Sequence, residues 1–145
     1  MAYKLFKTAA NFRAMREICG VSQQQVADAM DVRVMTVKRW EKGETPLPDD
    51  ALAWMRECAA EHTLGVRTEL GEIMAGAEPG EAICLTYYRT QEQADMDADV
   101  MGCDAGPYQF VNAVRRSVGE RLTDMGYLVS FKYPDEERVE VKRVD

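Results

Sequence analysis

The chain has 145 residues, room for one small domain and a second, smaller one. Its 18 basic and 25 acidic residues leave a formal net charge of −7, and no apolar stretch approaches the ~20 residues needed to cross a membrane. The opening MAYKLFKTAANF has no apolar signal-peptide core, and Cys19, Cys58, Cys84 and Cys103 are scattered beside a single histidine, so the usual zinc spacings are excluded and a reducing cytoplasm is expected.

In chain order, the spacing first predicts a helix over 10–19, with Phe12, Met15 and Ile18 on its apolar face and Gly20 ending it. Ser22, followed three residues later by Gln25, is a capping-box signature that starts a second helix running to about Met30. Val26, Ala27 and Met30 point to the core, and Ala27 is small where a neighbouring helix must come close. Asp31-Val32 breaks the pattern. A third helix then runs from about Arg33 to Lys42, with Val37 and Trp40 buried and Arg33, Val34, Met35, Lys38 and Arg39 exposed. Gly43 can take the positive φ of a helix stop, and Pro46 and Pro48 block continuation. Pro48 and Asp49 open a fourth helix through about Ala60, with Leu52 and Met55 inward. Two short helices joined by a tight turn, the second basic on one side, are what a protein needs to lay a helix in the DNA major groove.

The stretch Arg16 to Gly43 resembles the Cro/repressor-type, or xenobiotic-response-element, helix-turn-helix family. The match lies in R-x-x-x-G-x-S-Q-x-x-x-A followed by V-x-x-x-T-V-x-R-W-E-x-G, and the resemblance covers about 60 of 145 residues. It implies a DNA-binding transcriptional regulator. It also implies that Gln23 clamps a phosphate, that Val34, Met35, Lys38 and Arg39 face the bases, and that Arg16 pairs with Glu41. Gln24, Arg33, Thr36 and Lys42 complete the expected DNA-binding set. Two departures matter: Val34 and Met35 are apolar where the family places polar readers, and Lys42 replaces the common Asn. Apolar side chains can meet thymine methyls but read no hydrogen-bond pattern, so specificity falls to Arg39, with Arg33 and Lys38 beside it.

The charge is unevenly spread. Residues 1–42 hold eight basic and four acidic residues, whereas 43–145 hold ten basic and twenty-one acidic, so the positive charge sits with the motif. The acidic remainder disfavours indiscriminate binding to phosphates.

The second half reads as an assembly module. A helix is expected over 63–77 with Val66, Leu70, Ile73 and Met74 on one side, then a turn at Pro79-Gly80 and a strand over 82–89. A polar, acidic loop over 90–104 follows, with room for a short helix at its start. Pro107 to Met125 is a helix whose stripe is Phe110, Val111, Val114, Val118, Leu122 and Met125. Gly126 caps it, a strand over 127–133 and a turn at Pro134-Asp135 come next, and Arg138 to Val144 alternates as a last strand. This order, after W-E-x-G and the Pro48-Asp49-Asp50 segment, is similar in arrangement to the anti-CRISPR-associated repressors. The similarity carries no promoter or biological role over to this chain.

Other candidates have plainer readings. Asp95, Asp97 and Asp99 suggest a calcium loop, but Val100 and Gly106 stand where the turn glycine and the bidentate glutamate belong, so a solvated acidic loop is expected. His62 reads as a helix-end or surface histidine, and Tyr87 and Tyr88 as one edge and one core residue. No nucleophile–base set is visible, so no enzyme is expected, and no cofactor or metal.

The expected architecture is mainly α: a four-to-five-helix helix-turn-helix domain over 1–62, then a small α+β dimerisation or partner domain over 63–145. The expected function is a cytoplasmic, homodimeric repressor that binds double-stranded DNA at an inverted-repeat operator. The alternative is an antitoxin-type protein whose C-terminal half binds a partner toxin. A ligand sensor is a third class, for which the sequence shows no polar-lined pocket.

Overall fold

The computed structural model describes residues 7–136. The fold is mainly helical, in the order α1 (Ala9–Cys19), α2 (Gln23–Met30), α3 (Val34–Lys42), α4 (Asp49–Gly76), β1 (Ala82–Thr86), α5 (Gln91–Met101), α6 (Tyr108–Asp124) and β2 (Leu128–Lys132). The chain divides into two compact units at Thr68/Glu69, inside α4.

Local chemistry sets the helices of the first unit. Thr8 caps α1 by accepting from the Asn11 N–H at 3.0 Å. The capping box of α2 is complete: Gln25 N–H donates to Ser22 Oγ at 3.0 Å and Ser22 N–H donates to Gln25 Oε1 at 2.7 Å. Asp31 closes α2 in the left-handed region at φ 54°, a conformation that short polar side chains tolerate, and this residue makes the sharp turn into α3. Gly43, at φ 75°, ends α3.

The core of this unit is built from Phe12, Met15, Val26, Ala27, Val37, Trp40, Leu47, Ala51, Leu52 and Met55, all buried. The Phe12 and Trp40 rings meet edge to face, centroids 6.5 Å apart, which joins α1 to α3. One sequence expectation fails here. Ile18 is 59% exposed, and Cys19 completes the buried stripe of α1 instead, because positions 12, 15 and 19 share one helical face.

The helices expected over 49–60 and 63–77 are one. Nothing between Pro48 and Pro79 removes a backbone donor, and Gly65 and Gly71 each cost only about 1 kcal/mol relative to alanine inside a helix. His62 is therefore neither at a helix end nor at the surface: it is buried within α4. Met74, expected inside, is half exposed in the last turns of the helix.

The second unit is a two-stranded parallel sheet, β1 beside β2, with Ala82 opposite Leu128 and Thr86 opposite Lys132. Parallel strands need a long crossover, and here α5 and α6 supply it. Helix α6 packs on both strands with Ala113, Val114, Val118 and Leu122 buried. Gly119 admits the sheet closely, since a Cβ there would lie 2.7 Å from Phe131 Cζ. Phe110 and Val111 are half-buried and Met125 is partly exposed, so the stripe of α6 frays at both ends.

Two polar ties hold this unit. The buried Asn112 side chain accepts from the Tyr88 N–H at 2.9 Å and donates to the Tyr88 carbonyl at 2.8 Å, standing in for a neighbouring strand. Arg115 donates to Glu69 at 2.7 Å and to the Thr86 carbonyl at 2.6 Å, joining the C-terminal part of α4, α6 and β1. Tyr88 is buried and Tyr87 half-buried.

The stretch expected as an acidic loop is a helix. Thr90 caps α5 by accepting from the Gln93 N–H at 3.2 Å, Ala94 and Ala98 are buried, and Asp97 accepts from the Tyr88 hydroxyl at 2.9 Å. The strand expected over 138–144 lies outside the described residues.

Candidate nucleic-acid interface

The site is a basic helix face held on a polar tie. Arg16, from α1, donates through Nε to Glu41 Oε2 at 2.7 Å and through Nη2 to Glu41 Oε1 at 2.9 Å. Its remaining terminal nitrogen, Nη1, donates to the Val21 carbonyl at 3.0 Å. The Glu41 side chain is 4% exposed and that of Arg16 13%. A two-pronged guanidinium–carboxylate contact of this kind fixes direction as well as distance. It ties the orientation of α3 to α1 and to the segment entering α2.

Gln23 joins this group, donating from Nε2 to Glu41 Oε1 at 3.2 Å. That link is not visible in the spacing. The sequence carries one trace of it, a long polar residue at the first position of α2, which names no partner. The amide keeps a second hydrogen directed elsewhere. Gln24 is exposed and donates to Asp28 at 2.8 Å on its own helix.

On α3, Val37 and Trp40 are buried while Lys38, Arg39 and Lys42 are exposed. Met35 is 53% exposed, a large apolar side chain held out at the middle of the basic face. Val34 and Thr36 are half-buried, at the margins of that face. Arg33 is exposed at the N-cap position, where its side chain makes no capping bond. Two other cations of this unit are paired, Lys7 with Asp49 at 2.7 Å and Arg13 with Glu17 at 2.6 Å. Among the described residues, Arg33, Lys38, Arg39 and Lys42 have no acidic partner. Four unneutralised cations around one exposed methionine form a surface that can release counterions on meeting a polyanion.

Residues 12–58 match the model of a helix-turn-helix family. This segment is a Cro/repressor-type helix-turn-helix domain. No curated protein matches the chain as a relative. The helix-turn-helix domain is a DNA-binding module of transcriptional regulators, a family that is generally non-enzymatic. In helix-turn-helix domains generally, the first helix of the pair braces on the DNA backbone and the second enters the major groove.

The described residues hold no group of three or more His, Cys, Asp or Glu placed to bind a metal ion, and no helix among them is long and apolar enough to cross a membrane. Burial pushes the Cys19 thiol up to about 11, with the nearby Cys58 adding to the effect, so Cys19 is an inert core thiol rather than a nucleophile.

Proposed function

We propose that the protein is a sequence-specific, homodimeric repressor acting at an inverted-repeat operator. The observation that carries the reading is the exposed α3 face, whose cations are left without acidic partners while the Arg16–Glu41 tie fixes the helix that bears them. Arg39 is the principal base reader, through the two-pronged match of guanidinium to guanine, with Lys38 and Arg33 beside it. Met35 and Val34 select thymine methyls. Gln23 uses its free amide hydrogen on a phosphate, Gln24 and Lys42 add backbone contacts, and Thr36 supports the edge of the reading face.

A dimer places two such helices in successive major grooves, with half-sites about 34–36 Å apart. The second unit supplies the pairing surface, and the exposure of Leu128 and Phe131 on β2 supports that role. Selection of bound duplexes from a random pool, followed by footprinting, tests the reading. It predicts one enriched inverted repeat protected over two half-sites. An enriched single half-site would remove the dimer, and no enrichment would remove sequence-specific binding.

The second reading is an antitoxin-type protein whose acidic second half binds a toxin, and the acidic bias of residues 43–145 favours it. Co-purification of a small basic protein from the native host would mark that case.

A further inference from the structure

Among the described residues, helix α5 leaves one face without a partner. Ala94 and Ala98 seat it on the unit and Asp97 is held by Tyr88, which turns Glu92, Met96, Asp99 and Val100 to solvent. Met96 is 64% exposed, Val100 89% and Met101 79%, large values for apolar side chains on an ordered helix. Residues 90–104 contain five acidic residues and no Lys or Arg. Glu92 and Asp99 make no ion pair among the described residues, and Asp95 is met only by Gln91 of the same helix, at 2.9 Å. The face is therefore an apolar centre ringed by negative charge.

Its complement is on the same chain. The α3 face is an apolar centre, Met35, ringed by Lys38, Arg39 and Lys42, and it too is unpartnered among the described residues. Ideal rise gives α5 a length of about 16 Å and α3 about 13 Å, so the two faces also agree in extent. Pairing α5 with α5 of a second copy would set Glu92 and Asp99 against like charges, and pairing α3 with α3 would do the same with cations. Only the mixed pairing covers both apolar centres and neutralises both rings. Two copies can make it reciprocally, which closes the assembly as a two-fold dimer.

We propose that, without DNA, the acidic face of α5 docks on the recognition helix α3 of a second copy, masking the bases' reading surface until DNA displaces it. The proposal rests on the assignment of α3 as the DNA-reading helix. It makes the second unit a competitor of DNA for the same cations, so occupancy of an operator depends on protein concentration and salt as well as on base sequence. Masking of this kind is strongest at low ionic strength, because the contact is electrostatic and surface-exposed.

The test mixes full-length protein in unlabelled and nitrogen-15 forms at 50 mM salt and treats it with a zero-length carbodiimide, which joins lysine amines to carboxylates in contact. Mass spectrometry is expected to find Lys38 or Lys42 joined to Glu92, Asp95 or Asp99 in mixed-isotope pairs, lost at 500 mM salt and on adding the selected duplex. Met96→Ser/Val100→Ser, which leaves the charge unchanged, is expected to weaken those links and to tighten duplex binding by at least about fivefold, the low end of ordinary coupling between sites. Absence of the links, or links only within single-isotope chains, would overturn docking on a second copy. Tighter binding by Glu92→Gln/Asp99→Asn with no change in the apolar variant would reduce the effect to general repulsion and overturn the docking. If the wild-type protein binds no duplex, the reading of α3 fails, and the cross-links alone still decide whether the two faces meet.

Discussion

Removal of Arg16 is the sharpest perturbation of the recognition domain, because it acts on the tie and leaves the reading face untouched. Arg16→Ala strands Glu41, 4% exposed, with only the 3.2 Å bond from Gln23, and strips the Val21 carbonyl of its donor. Breaking one side of a buried pair costs about 3–5 kcal/mol, and the 13% exposure of the Arg16 side chain places this case near the lower figure, about 3 kcal/mol. At an m-value of about 1–2 kcal/mol/M, that lowers the urea midpoint by roughly 1.5–3 M. Both tryptophans, Trp40 and Trp54, lie in the first unit, so tryptophan fluorescence reports this transition alone. Replacing both partners, as Arg16→Met/Glu41→Leu, should recover most of the loss, since apolar pairs of similar volume often match a buried ion pair. Arg16→Lys should fall between, keeping the charge but losing the fork. A midpoint for Arg16→Ala within about 0.5 M of wild type, or a double variant no more stable than the single one, would refute the claim that the pair fixes α3.

Asn112→Ala should cost about 2–4 kcal/mol, because the Tyr88 N–H and carbonyl would both be left buried without partners, whereas Asn112→Asp keeps an acceptor and loses the donor. Thermal melts of the two variants check this, and a loss under 1 kcal/mol for the alanine would contradict it. Alkylation at pH 8 should label Cys84 and Cys103 first and Cys19 only after unfolding: a thiol whose pKa is raised to about 11 carries almost no thiolate at that pH, and Cys19 is also buried. Rapid labelling of Cys19 in the native protein would show that α1 is not packed as described. Gln23→Ala should weaken binding to all duplexes alike, since the contact proposed for it is to the DNA backbone, and a loss confined to one sequence would make it a base reader instead.

The recognition domain was legible because each of its turns is written in local chemistry. The Ser22–Gln25 box, the Asp31 turn and Gly43 each declare a helix end through backbone requirements that a reader can check residue by residue. The same logic misjudged α4, where the question was whether a helix continues: neither Gly65 nor Gly71 is enough to stop one, and the buried Met55, His62, Val66 and Leu70 run on at helical spacing through the supposed break. Helix α5 was harder still. Its acids suggested a loop, yet small alanines at 94 and 98 and the Tyr88–Asp97 bond are what seat it, and that bond reaches α5 from the connection after β1. At the site, the charges of α3 could be counted from the sequence, but not that they lack acidic partners. The link from Gln23 to Glu41 likewise depends on how α2 and α3 cross, which no spacing displays.

The most direct test of the central claim is a titration of the full-length protein against its selected duplex and a random duplex at 50 and 200 mM salt, beside Arg39→Ala. Sequence-specific reading by α3 predicts tight binding that falls steeply with salt, and a loss of about 5- to 150-fold in the variant on the selected duplex, equivalent to ~1–3 kcal/mol for one two-pronged base contact. It also predicts that the variant's defect shrinks toward that of a single lost phosphate contact on random DNA. Equal affinity of the wild-type protein for both duplexes, or an equal loss on both for Arg39→Ala, would contradict it.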